Sequence, residues 1–369
     1  MSQSPNWFSS DYFTARDRFR QAVGKAGGRM DSLPLRATGP GNENLGIDVG
    51  WFGTDRPRRV LLHTSGLHGV EGFVGSAIQL QLIDDLPQLT ADSALVIVHV
   101  LNPYGMAWLR RFNENNVDLN RNFLGPEEKY DGSLAAYRRV DPFLNPCSPP
   151  SKDFYHLKIA GLVLRHGFSQ LKQAIASGQW EFPKGIFFGG SQLEQGPLRY
   201  AAFLTQRLSG AEQVVVIDVH TGLGKFGQDV LLVESEHYAK MLTVFGARAK
   251  PLEPERGPAY RVRGGHHSVF PRSLPGARVH YVAQEFGTYS AIKVLRALRE
   301  ENRWHHFGDA TIQHPSKAKL KEAFCPEDDA WRHAVLARGK QLLRTAWALT
   351  IEQIATKTPE GTRGCLKSR

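Results

Sequence analysis

The chain has 369 residues, 41% hydrophobic and 22% charged, enough apolar material for a sizeable core and too much for wholesale disorder. Its 46 Lys and Arg against 36 Asp and Glu leave a formal charge of +10, but the arginines are scattered and no zinc-finger, RNP or KH pattern occurs, so no nucleic-acid partner is expected. No run approaches the roughly 18 to 20 apolar residues of a membrane helix. The first residues lack a basic start followed by an apolar stretch, and Cys147, Cys325 and Cys365 are far apart without CxxC spacing. No membrane partner, no secretory signal and no disulfide scaffold are therefore expected, which points to a reducing cytoplasm.

In chain order the periodicities predict a helix over Asp11–Ala26, a strand over Arg59–Leu62, a helix over Gly72–Asp84 and a strand over Ala94–Leu101. A helix over Lys152–Ser177 follows, then a strand over Gly185–Phe188 and a helix over Pro197–Leu208. Strands Val214–Val219 and Val230–Val233, helix Tyr238–Arg248 and strand Val279–Gln284 come next, and helices Ala291–Asn302, Lys317–Phe324 and Asp328–Thr356 close the series. Pro and Gly mark 141–150 and 251–257 as surface loops. This alternation of short β-branched runs with helices predicts an α/β fold, a mixed, mostly parallel twisted sheet flanked by helices. One large domain over 1–369 is expected, its core at about 45–300, with an N-terminal helix and a C-terminal helical extension. The stripe Trp331, Val335, Leu342, Leu343, Trp347 should pack that last helix on the body.

Three predicted strands end in polar sequence, where an open α/β sheet places ligands. In HTSGLHGVEG, His68 and Glu71 stand three apart among glycines, so an imidazole and a carboxylate can reach one cation. Alone, that spacing equally suits a capping glutamate beside an incidental histidine. His220 closes VVVIDV and suits a third ligand, a His₂Glu set keeping one position open, or a satisfied semi-buried imidazole. Asp218, two residues earlier, points the same way and could support a ligand or bond backbone amides. Glu285 ends the Val279–Ala283 run, where a carboxylate is costly unless paired or functional, and could act as general base. Between these ends, Asn120 beside Arg121 suits a carboxylate clamp, and Arg110 or Arg111 could put a fixed charge on a developing oxyanion.

In chain order these segments resemble the M14-type zinc carboxypeptidases, in the DUF2817 (M14-like metallopeptidase) branch. The resemblance runs from about Asp48 to Tyr289, with Phe8–Met30 also similar to that branch. The resemblance implies a zinc carboxypeptidase-like fold, helices on both faces of the sheet, and one Zn²⁺ held by His68, Glu71 and His220. It implies Glu285, in QEFG, as catalytic carboxylate, and Arg111, or its neighbour Arg110, as the partner polarising the scissile carbonyl. Asn120 and Arg121, in VDLNRNF, would hold the substrate's carboxylate, and Tyr260, ahead of Gly264–Gly265, would cover it. NPYG (Asn102–Gly105) matches a further turn of the family. The activity implied is hydrolysis of an amide bond next to a free carboxylate, in a small peptide or an N-acyl amino acid. The alternatives are an aspartoacylase-like deacylase or amidase and, less favoured, a catalytically idle binding module. His266 and His267 depart from the small residues usual after the paired glycines; with Arg272 they would suit an acidic side chain.

Overall fold

Nearly continuous apolar strands can be covered only if helices lie on both faces of the sheet. The chain folds in that way in this computed structural model, which describes residues 6–252 and 262–352. The elements are α1 (Tyr12–Lys25), β1 (Arg29–Thr38), β2 (Asn44–Gly53), β3 (Arg59–Ser65), α2 (Gly72–Asp84), β4 (Ser93–His99) and α3 (Pro103–Ala107). Helices α4 (Ala135–Leu144), α5 (Tyr155–His166), α6 (Phe168–Ala176) and α7 (Gln195–Leu208) precede β5 (Gln213–Phe226), β6 (Asp229–Val233), α8 (Tyr238–Phe245) and β7 (Ala249–Pro251). Then come α9 (Phe270–Ser273), β8 (Arg278–Gly287), α10 (Ala291–Phe307), α11 (Pro315–Phe324) and α12 (Asp329–Ile351).

The sheet order is β1-β2-β4-β3-β5-β8-β6-β7. Its centre, β4-β3-β5-β8, is parallel throughout, and antiparallel pairs bring in β2, β1 and β6. Alternation along the central strands splits the core. Leu61, Leu95, Val215 and Ile217 face α1, α2, α8 and α12, while Leu62, Val96, Val214 and Val216 face α7 and α9. A third cluster joins Tyr137, Ile159, Leu171 and Ile175 from α4–α6 to Leu298 and Phe324 of α10 and α11. The α12 stripe is buried as expected, and Trp331 Nε1 donates to the Gly287 carbonyl at 2.8 Å.

Several expectations need correction. The sheet begins at Arg29, because the hairpin β1–β2 is longer than its polar, Pro34-bearing and Gly-rich sequence suggests. Gly185–Phe188 is buried but not a strand: Phe187 has φ +59°, and only Phe188 forms an isolated bridge, to Gln179. Lys152–Ser177 is two helices, broken at Gly167 with φ +76°. The stretch 141–150 is partly helical, since α4 runs to Leu144 and holds Pro142 in its last turn, where the ring removes one intrahelical hydrogen bond shortly before the helix ends. The last helix is described to Ile351, so its expected end at Thr356, like Tyr260, lies outside the described residues.

Candidate metal centre

The segments that follow β3 and β4, together with β5 and β8 themselves, build the site. After β3 the chain turns at Gly66 (φ +63°), leaves His68 extended, and forms a single 3₁₀ turn over Gly69–Glu71 before α2. Gly69 and Val70 donate their N–H groups to the Arg111 and Arg110 carbonyls at 3.1 and 2.9 Å, so this loop is laid along the segment after α3. A Cβ on Gly69 would stand 2.1 Å from the Gly105 carbonyl carbon; only glycine lets the two loops approach so closely. Asn102 caps Gly105 N–H at 2.8 Å and donates to the Arg111 carbonyl at 3.2 Å, fixing the NPYG turn against the same strip.

His68, Glu71 and His220 meet there, with one ligand atom from each within 4.8 Å of the others. His68 Nδ1 lies 3.0 Å from Glu71 Oε1, and His220 Nδ1 lies 3.2 Å from Glu71 Oε2. The far nitrogens face carboxylates: His68 Nε2 is 3.1 Å from Asp118, and His220 Nε2 is 2.9 Å from Asp218. This fits a divalent cation, because carboxylates on both outer nitrogens orient the rings with both Nδ1 atoms toward one point beside Glu71. The three side chains could hold a metal ion.

Charge is concentrated here. Burial opposes the charged form of Glu71, but His68, His220 and Arg111 outweigh it and bring the carboxyl down to about 2. Asp118 and Asp218 are buried too, yet sit well below the usual carboxylate range, Asp118 beside Arg121, Arg111 and His68, and Asp218 beside His220 and His266. His220 is pushed well above its ordinary value by Asp218 and Glu71 despite burial.

Glu285 pairs in register with His220 on neighbouring strands and lines the same cavity. Burial and then the charge of Glu71 raise its carboxyl to about 7, and Oε1 accepts from Leu223 N–H at 2.9 Å. Arg111 also lines the cavity, with Nη1 at 3.0 Å from Glu71 Oε1, Nη2 at 2.7 Å from His68 Nε2, and Nε at 3.2 Å from Asp118. Arg110 points the other way, fully buried on Glu301, Asn116 and Asn302. Of the two neighbouring arginines, Arg111 is the one whose side chain lines the cavity.

Asn120 faces the cavity, and its Oδ1 accepts His266 N–H at 2.9 Å, which leaves the amide NH₂ as its donor. Arg121 is fully buried behind it, bonded to Asp118 and to the Asn120 and Ala176 carbonyls. His267 lines the cavity, whereas His266 is buried against Asp218 at 2.7 Å and Arg272 donates to the Phe123 carbonyl. The sequence reading missed that Asp218 is a hub, accepting also from Thr64 Oγ1 (2.8 Å) and Tyr281 OH (2.9 Å). It missed as well the apolar cavity wall supplied by α5, α6 and α10. No local pattern announces either, since both arise from segments far apart in the chain.

A mixed α/β sheet with a buried His–Glu–His donor set at its strand ends defines the class of protein. Residues 8–338 match the family described as protein of unknown function (DUF2817), and the chain belongs to that family. No curated protein matches it. Among solved structures it is similar to the carboxypeptidase A from Helicoverpa armigera, at 13% identity over 89% of this chain and 74% of that one, with a TM-score of 0.46. It is also similar to a murein-tripeptide amidase from Escherichia coli O157, at 17% identity, 75% and 92% coverage and a TM-score of 0.35. A third is the ectoine utilization protein of Ruegeria pomeroyi, at 14% identity, 76% and 67% coverage and a TM-score of 0.39. Among the described residues no helix is long and apolar enough to cross a membrane.

Proposed function

We propose that this protein is a zinc-dependent hydrolase of an amide bond next to a free carboxylate, with one ion held by His68, Glu71 and His220. The observation that carries the reading is a two-histidine, one-carboxylate donor set with a second carboxylate, Glu285, beside His220 on the next strand and lining the same cavity. When bound, zinc supplies Lewis acidity, polarising a carbonyl and acidifying water toward a pKa of about 7. Glu285 takes a proton from the attacking water and returns it to the leaving amine; a carboxyl near 7 suits both directions. His68 Nε2 cannot donate to Asp118 and accept from Arg111 at once. With Nδ1 given to the ion, Nε2–H goes to Asp118, and Arg111 Nη2 turns to the scissile carbonyl oxygen. Asn120 donates its NH₂ to the substrate's carboxylate, joined by Arg121 as it exchanges the Ala176 carbonyl for that anion. Tyr260 would cover the bound substrate, and the whole chain would serve as one catalytic unit.

The test is metal analysis with turnover. About one equivalent of zinc after gentle purification, with chelation abolishing hydrolysis of N-acyl amino acids or blocked dipeptides and zinc restoring it, supports the proposal. Less than about half an equivalent and no turnover on either class favour a catalytically idle binding module.

A further inference from the structure

The cavity that opens at the donor set has a volume of about 270 Å³, and most of its wall is hydrocarbon. One long side of it is helical: Ile159 and Val163 of α5, Leu171 and Ile175 of α6, Ile292 and Leu295 of α10. Among the described residues Lys172 is the one charged side chain that these helices add. Their backbone N–H and C=O groups are used within the helices. A peptide backbone laid on such a wall would give up its hydrogen bonds to water and find few partners, whereas an alkyl chain has none to lose.

Away from the cavity, α5 also exposes apolar side chains among its polar ones. Leu157 and Leu164, two turns apart on one face of α5, are 72% and 89% exposed, and Phe154 just before it is 76% exposed. Phe168, at the break between α5 and α6, belongs to both surfaces, since it lines the cavity and is still 50% exposed. Phe168 thus links the apolar cavity wall to the outside of the molecule.

We propose that the substrate is an amphiphile, an N-acyl amino acid with a long unbranched acyl chain, whose tail lies along α5, α6 and α10 while its amide and carboxylate reach Glu285, Arg111 and Asn120. This rests on the hydrolase reading above. Water adds across the C–N bond; the acyl carbon gains the oxygen and leaves as a fatty carboxylate, and the nitrogen takes the proton and leaves as a free amino acid.

The experiment compares N-acetyl-, N-octanoyl- and N-dodecanoyl-leucine, all below their critical micelle concentrations, with a blocked dipeptide ending in leucine. The zinc-loaded enzyme should gain about threefold to fourfold in kcat/KM per added methylene until the wall is covered. A flat or falling series, or a faster dipeptide, overturns the proposal. Binding is read separately by calorimetry on zinc-loaded Glu285→Gln protein, where N-dodecanoyl-leucine should bind at least 100-fold more tightly than N-acetyl-leucine. If nothing is hydrolysed but that preference holds, the hydrolase reading fails and the tail site stands; equal affinities remove the tail site whatever the turnover. Val163→Asp on α5 and Leu295→Asp on α10 should each cut the dodecanoyl-to-acetyl affinity ratio at least tenfold. An unchanged ratio in whichever variant folds also overturns the proposal.

Discussion

At Glu285, burial and the charge of Glu71 oppose ionisation, while Leu223 N–H and His220 favour it. That balance suits a proton carrier, and Glu285 stands outside the proposed ligand set of His68, Glu71 and His220. Glu285→Gln should therefore keep its metal content by elemental analysis while kcat falls about 10²- to 10⁴-fold; full turnover in that variant would take the base role from Glu285. The two neighbouring arginines separate in the same way. Arg111→Ala should lose about 10²- to 10³-fold in kcat/KM, because on the proposed mechanism the group lost is the donor to the reacting carbonyl. Arg110→Ala leaves the buried Glu301 with Lys317 alone, so it should lower the melting temperature by several degrees and spare kcat. If Arg110→Ala instead reproduces the catalytic loss, the assignment of the two residues is reversed.

Element by element, local pattern worked where one periodicity governed one segment. Asp11 caps α1 by accepting Thr14 N–H, and Asp328 caps α12 by accepting Trp331 N–H, so both starts were readable to a residue. It failed at Gly185–Phe188, where apolar content comes from packing: Phe187 is turned to φ +59° and lies under the Arg111 and Arg121 guanidinium groups. It failed again at β1, which needs β2 beside it more than any propensity of its own. Helix α1 is held to that hairpin by Asp48, which is fully buried on β2 and accepts from Arg16, Arg20 and Ser32 at 2.8, 2.7 and 2.7 Å. Asp48→Asn leaves two guanidinium groups without their anion and should cost about 3 kcal/mol in denaturant unfolding. A loss under about 0.5 kcal/mol would show that packing of Phe19 and Val23 holds α1 without the charges.

For the whole molecule, acid should act in two stages. His63 and His99 are completely buried, and burial pushes both from 6.5 down to about 4, so the folded protein refuses protons that the unfolded chain accepts. Their contribution is present above pH 6.5 and is lost as pH falls toward 4. Asp48, depressed from 3.8 to about 2, adds a second loss as pH falls through that lower window. Unfolding free energy measured against pH should start to decline below about pH 6.5, and a curve flat from 7 to 4.5 would contradict the buried neutral histidines. The sequence by itself determined the α/β alternation and where the singly periodic helices run, because each is written in a short window whose spacing the backbone must obey; His68, Glu71 and His220 became candidate donors only through the resemblance of several segments taken together. Only the tertiary structure decided that Arg111 rather than Arg110 faces the cavity. It also decided that Asp218 gathers His220, His266, Tyr281 and Thr64, and that α5, α6 and α10 line the pocket with hydrocarbon. Those are outcomes of which distant segments pack together, and packing is set by the shape and burial of the whole chain, not by the order of residues in any one stretch.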